Sequence, residues 1–119
     1  MAIRINLESL EIPVQIGDFS FIVKIDDDSY QEMIDSIKDA LDTVKDSKDL
    51  DEIGEALEKA YDSILGDDSF EKLYNEMKSI PILASVLKDL YFGIENEYHR
   101  RIQKNHVITN KKNKNVQHN

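Results

Sequence analysis

Glu11-Ile12-Pro13-Val14-Gln15-Ile16-Gly17-Asp18-Phe19-Ser20-Phe21-Ile22-Val23-Lys24-Ile25 decides the fold, because its apolar residues recur at every second position on both sides of a two-residue link. Ile12, Val14 and Ile16 precede the link, and Phe19, Phe21, Val23 and Ile25 follow it. Side chains alternate between the two faces of a strand, so each run predicts a strand with one buried face. Gly17-Asp18 is a Gly-first pair that suits a type II′ or I′ turn, which makes 11–25 a β-hairpin. Pro13 has no amide hydrogen, so its strand lies at an edge or its nitrogen faces the unpaired side. Upstream, Ile3, Ile5 and Leu7 alternate in the same way and predict a third short strand.

Downstream the period changes from two to that of a helix. Asp26-Asp27-Asp28 closes the strand region with charges that favour the positive end of a helix dipole. Ser29 and Glu32 then form the S-x-x-E pattern of a capping box. Met33, Ile34, Ile37, Leu41 and Val44 mark the apolar face of a first helix, which Ser47-Lys48-Asp49 interrupts. A second helix is expected over about 50–65 on Leu50, Ile53, Leu57, Tyr61, Ile64 and Leu65, with Gly66 in the left-handed position after it. Asp67, Asp68 or Ser69 is placed to cap a short third helix carrying Phe70, Leu73, Tyr74 and Met77. Ile80-Pro81 breaks that helix, and because Pro is tolerated in a first turn the fourth and longest helix starts near 80 and runs to about 103. Its stripe is Leu83, Val86, Leu87, Leu90, Tyr91, Ile94, Tyr98 and Ile102. The expected architecture is one α+β domain over residues 1–104, an N-terminal β-hairpin of two or three short antiparallel strands followed by about four helices. Residues 105–119, with little to bury, are expected to form a disordered basic tail.

Composition narrows the function. The 119 residues include no cysteine, which removes disulfides, thiolate nucleophiles and Cys-based zinc sites and fits a reducing compartment. No long apolar stretch follows Met1, so neither a secretory signal nor a membrane span is expected, and the cytoplasm is the expected location. The net charge of −9 is uneven: residues 1–97 hold 24 acidic against 9 basic side chains, residues 98–119 hold 6 basic and no acidic ones. A body of that sign is repelled by phosphate backbones, which argues against a nucleic-acid reader.

Catalytic constellations fail on inspection. Asp49-Leu50-Asp51-Glu52-Ile53-Gly54 resembles the start of a calcium loop, but Ile53 and Ala60 stand where oxygen ligands are needed. Two of the three histidines, His106 and His118, fall in the expected tail, and His99 sits beside Arg100 and Arg101 on the last helix, so no held base is available. The four glycines stand alone and form no phosphate loop. Neither a cofactor nor a metal site is expected, and the chain reads as a non-enzymatic binding protein. On the fourth helix Phe92 has Lys88, Asp89, Glu95 and Asn96 as its neighbours three and four residues away, so it projects from the polar side as a candidate protein contact. Tyr98 and Ile102 extend the stripe past the other helices, which makes them candidates for packing on a partner or another subunit.

The order of elements resembles a family: the small tail assembly chaperones of long-tailed bacteriophages that infect Gram-positive bacteria. The resemblance is carried by Val14-Gln15-Ile16-Gly17-Asp18-Phe19-Ser20-Phe21 leading to an acidic strand end and a capped helix. It is carried also by Ala60-Tyr61-Asp62-Ser63-Ile64-Leu65-Gly66-Asp67-Asp68-Ser69-Phe70-Glu71-Lys72-Leu73-Tyr74, a helix, a Gly-containing break and a short following helix. With the long terminal helix it spans about residues 11–103. It implies a homo-oligomeric protein of the host cytoplasm that holds the aggregation-prone tape measure protein and helps recruit tail tube protein. It assigns no catalytic, cofactor or partner-binding residue. A rival reading is an acidic nucleic-acid mimic that occupies the basic groove of a DNA-binding protein. That rival requires carboxylates lining one face, whereas the sequence interleaves them with lysines over several helices.

Overall fold

The computed structural model describes residues 2–3 and 9–117, with backbone alone from residue 104 onward. Six elements follow in order: β1 (Glu11–Ile16), β2 (Phe19–Lys24), α1 (Asp27–Asp46), α2 (Leu50–Leu65), α3 (Ser69–Met77) and α4 (Ile80–Gln117). The α+β architecture of an N-terminal antiparallel hairpin and four helices is the one the sequence predicts. The third strand expected over Ile3, Ile5 and Leu7 lies outside the described residues, apart from Ile3, which is exposed.

β1 and β2 pair antiparallel with Ile16 opposite Phe19 and Glu11 opposite Lys24. Gly17 takes a φ of 59° while Asp18 stays out of the positive-φ region, the combination that defines a type II′ turn. Just beyond the strands, the Ile25 amide donates to the Leu10 carbonyl at 2.8 Å. Bonding alternates along an antiparallel pair, so Ile12, Val14 and Ile16 also bond inward to β2, and Pro13 turns its donorless nitrogen to the outer edge. The same alternation sends Val23, Ile25 and Ile16 into the core and leaves Glu11, Pro13, Gln15, Ser20, Ile22 and Lys24 exposed.

Helix boundaries follow the predicted pattern more closely than the caps do. α1 begins at Asp27, and its cap is Asp26, whose carboxylate accepts from the Ser29 amide at 3.0 Å and the Ser29 hydroxyl at 3.1 Å. The Ser29/Glu32 capping box therefore does not form; Ser29 is already inside the helix and serves as donor to the aspartate. Those two bonds hold the Asp26 carboxyl below the usual carboxylate range. α3 is likewise not capped by Asp67, Asp68 or Ser69. Asp68 is in the left-handed region at φ 67° and makes no cap bond, and the Phe70 amide instead donates to the Asp62 carboxylate on α2 at 3.1 Å. Ser69 turns inward, and its buried hydroxyl donates to the Tyr61 carbonyl at 3.0 Å, so its polar atom is satisfied. Gly66 has φ 105° and ψ 164°, a positive-φ conformation outside the expected left-handed one and accessible chiefly to glycine.

The core is shared by all elements. Val23, Ile37, Leu57, Tyr61, Leu73, Leu83 and Leu87 are fully buried within one cluster that includes side chains of β1, β2 and the four helices. Burial of each such aliphatic side chain contributes about 1.5–3 kcal/mol. α4 differs from the sequence expectation in length. Its backbone is helical to Gln117, past residue 103 and through most of the segment expected to be a disordered tail. No Pro or Gly follows Gly93 in the chain, so nothing in the backbone chemistry halts the helix. At about 1.5 Å per residue such a helix is on the order of 57 Å long, in line with the molecule's longest extent of 60 Å. Among the described residues no helix is long and apolar enough to cross a membrane.

Candidate functional site

α4 presents three distinct environments around its circumference. One side is the core stripe of Leu83, Leu87, Leu90 and Ile94. Next to it runs a groove of about 380 Å³ between α4 and β1, walled by Ile12, Val14 and Ile16 on the strand and by Val86, Leu90 and Ile94 on the helix. Gly93 lies in this groove, and a Cβ built there would meet nothing within 4 Å. A glycine inside a helix costs about 1 kcal/mol relative to alanine, and no intramolecular close approach explains this one. Further round comes Phe92, 49% exposed and edge-on to Tyr91 with ring centroids 5.5 Å apart. Ile82, also exposed, is on the Gly93 side of the helix by its spacing.

The structure separates the three residues singled out by sequence. Phe92 projects into solvent as its polar neighbours predict. Ile102 is exposed too, but ten residues on, so the helical period turns it about 80° away from Phe92. Tyr98 is occupied within the chain: its ring stacks on Tyr30 of α1 with centroids 3.6 Å apart and planes 7° from parallel. Burial, with the Glu95 carboxylate a smaller cause, pushes the Tyr30 hydroxyl pKa up.

One functional feature has no signature in the sequence. Arg101, partly buried on α4, donates from Nη1 to the Ser9 carbonyl at 2.5 Å and the Glu11 carbonyl at 2.9 Å, and from Nε to Glu97 at 2.9 Å. Glu97 also bonds Arg100, and the two guanidinium groups hold its carboxyl below the ordinary range. The Glu11 carbonyl lies on the outer edge of β1, where Ser9 also accepts the Glu11 amide at 3.0 Å. With Pro13 offering no donor, the start of the edge that could template a foreign strand, from Ser9 to Pro13, is blunted. The groove is open to side chains, and strand addition at the start of β1 is disfavoured. The contacts bridge 92 and 90 positions in the chain, which is why local pattern does not reveal them.

No group of three or more acidic, His or Cys side chains among the described residues is arranged to hold a metal ion. Among the described residues no buried side-chain nitrogen or oxygen lacks a hydrogen-bond partner. Comparison of the chain with protein-family models, with curated proteins and with solved structures found no match.

Proposed function

We propose that the chain is a non-catalytic binding protein that acts as a phage tail assembly chaperone, holding the tape measure protein in the host cytoplasm and aiding recruitment of tail tube protein. The observation that carries this reading is Phe92, exposed at 49% on a helix whose core side is already filled, beside the open apolar groove that Gly93 deepens. A client helix with bulky apolar side chains would bury them against Val86, Gly93 and Ile12 while Phe92 packs on its flank, the helix-in-groove mode of recognition. The acidic surface keeps such a complex soluble. The sequence resemblance supplies the identity of the client; the surface supplies the chemistry of holding it.

Co-expression with a tape measure protein and pull-down tests the reading. Retention of the client by the wild type, and its loss with Phe92→Asp, is the expected result, with the helical content of the variant unchanged by circular dichroism. A second reading, the acidic mimic, draws on Asp51, Glu55 and Glu58, which stand in a row on one side of α2. It predicts capture of a nuclease or polymerase, insensitive to Phe92 and weakened steeply by salt.

A further inference from the structure

The groove between α4 and β1 carries charge at two points, Asp89 and Glu97, both on its α4 wall. Their surroundings differ. Glu97 is bonded by Arg100 and Arg101 of its own helix, so its charge is already answered. Asp89 is exposed, and among the described residues its carboxylate makes no hydrogen bond or ion pair. Its neighbours three and four positions away on the helix are Ser85, Val86, Phe92 and Gly93, none of which carries a charge. The strand wall supplies no cation either, since β1 contributes only Ile12, Pro13, Val14, Gln15 and Ile16.

A helix laid in this groove takes water away from Asp89. A carboxylate covered in that way opposes binding unless a cation meets it, whereas a lysine or arginine placed on it turns the same group into a determinant of specificity. The wider surface acts in the same direction, with 24 acidic against 9 basic side chains over residues 1–97. Helical spacing then fixes where the cation must stand. Asp89 and Gly93 are four residues apart, so they share one side of α4 about 6 Å from each other along its axis. A client helix running along α4 with a bulky apolar side chain over Gly93 therefore reaches Asp89 from a position one turn away.

We infer that the groove selects a helix carrying a lysine or arginine three or four residues from a bulky apolar anchor, the anchor seated at Gly93 and the cation paired with Asp89. The inference rests on the helix-in-groove reading proposed above and adds to it the charge and register of the client. It also sets direction, because Asp89 precedes Gly93 in α4 and the Glu97 end needs no cation. A basic residue that precedes the anchor in the client places that helix parallel to α4, and one that follows the anchor places it antiparallel.

Fluorescence anisotropy with labelled synthetic helices of about 20 residues tests it. Each peptide has the same leucine anchors, with lysine, or glutamate in its place, one turn to either side of the central anchor. The wild-type chain should bind the lysine helix at least about tenfold more tightly than the glutamate helix at low ionic strength. Asp89→Lys should reverse that order. Asp42→Lys, an equal change in net charge on the exposed side of α1 and outside the groove, should keep it. Circular dichroism and thermal melting verify that both variants remain folded. Equal binding of the two helices, binding of neither, an order that Asp89→Lys leaves unchanged, or one that Asp42→Lys reverses as well would overturn the inference. Capture of a tape measure protein that is lost with Phe92→Asp but unaffected by Asp89→Lys would leave the chaperone reading standing and remove this one alone.

Discussion

The Tyr61 hydroxyl donates to the Leu83 carbonyl at 2.6 Å, joining the last turns of α2 to the first turn of α4 across 22 residues of chain. Both residues are fully buried. The bond lets a large ring fill the centre of the core without leaving its polar atom unpaired, and it fixes where α4 starts relative to α2.

Tyr61→Phe should lower stability by about 1 kcal/mol, the usual net worth of such a bond. Urea unfolding checks this: the midpoint should fall with little change in slope, since the buried area is retained.

The same hydroxyl predicts behaviour in alkali. Burial raises the Tyr61 pKa in the folded chain well above its ordinary value of 10.0. A group whose folded pKa is raised contributes stability that is fully present below the unfolded pKa and lost as pH rises past it. Above pH ~10 the unfolded chain therefore sheds a proton that the folded chain keeps, and stability falls by up to about 1.4 kcal/mol per pH unit from this residue. Tyr61→Phe removes that component, so its stability should decline less steeply between about pH 10 and pH 12. Parallel slopes for the two proteins would contradict the assignment.

Asp62→Ala should destabilise the protein by about 0.5–2 kcal/mol, because the Phe70 amide loses its acceptor at the start of α3. Asp68→Ala should have a much smaller effect, since Asp68 makes no cap bond. Thermal melts of the two variants, set side by side, give the comparison.

Gly93→Ala is expected to stabilise the isolated chain by up to about 1 kcal/mol, as alanine favours helix and the added methyl meets nothing. The same methyl enters the α4 and β1 groove, so client retention should weaken while the melting temperature rises. A stability gain accompanied by unchanged client capture would show that the client lies elsewhere.

Arg101→Ala should expose the outer edge of β1 by releasing the Ser9 and Glu11 carbonyls from α4. Amide hydrogen exchange should quicken along Glu11–Ile16 ahead of the helices, as a local opening. Uniform acceleration across the chain would mean that the contact supports the whole fold.

The elements were legible because local chemistry governs them. Period-two alternation about Gly17-Asp18 produced the hairpin, and α2 spans Leu50–Leu65 where its stripe places it. The caps were less legible. The sequence pattern favours Ser29 as a cap, yet it lies one turn inside, since Asp26 is an equally strong acceptor that comes first in the chain. Asp62 has no cap signature in the sequence because it accepts from an amide eight residues away through the packing of α3 on α2. Phe92 could be placed on an exposed side from its neighbours alone, but the pairing of Tyr98 with Tyr30 required the position of α1 against α4.

Hydrophobic periodicity, the Gly-first link and the two Pro positions were sufficient by themselves to specify the hairpin, four helices and their order, because each depends on residues within a few positions of one another. The groove beside Gly93 and the Arg101 contacts to the Ser9 and Glu11 carbonyls at the start of β1 were decided only by tertiary structure. Each joins residues far apart in the chain, and their meeting depends on how the helices pack.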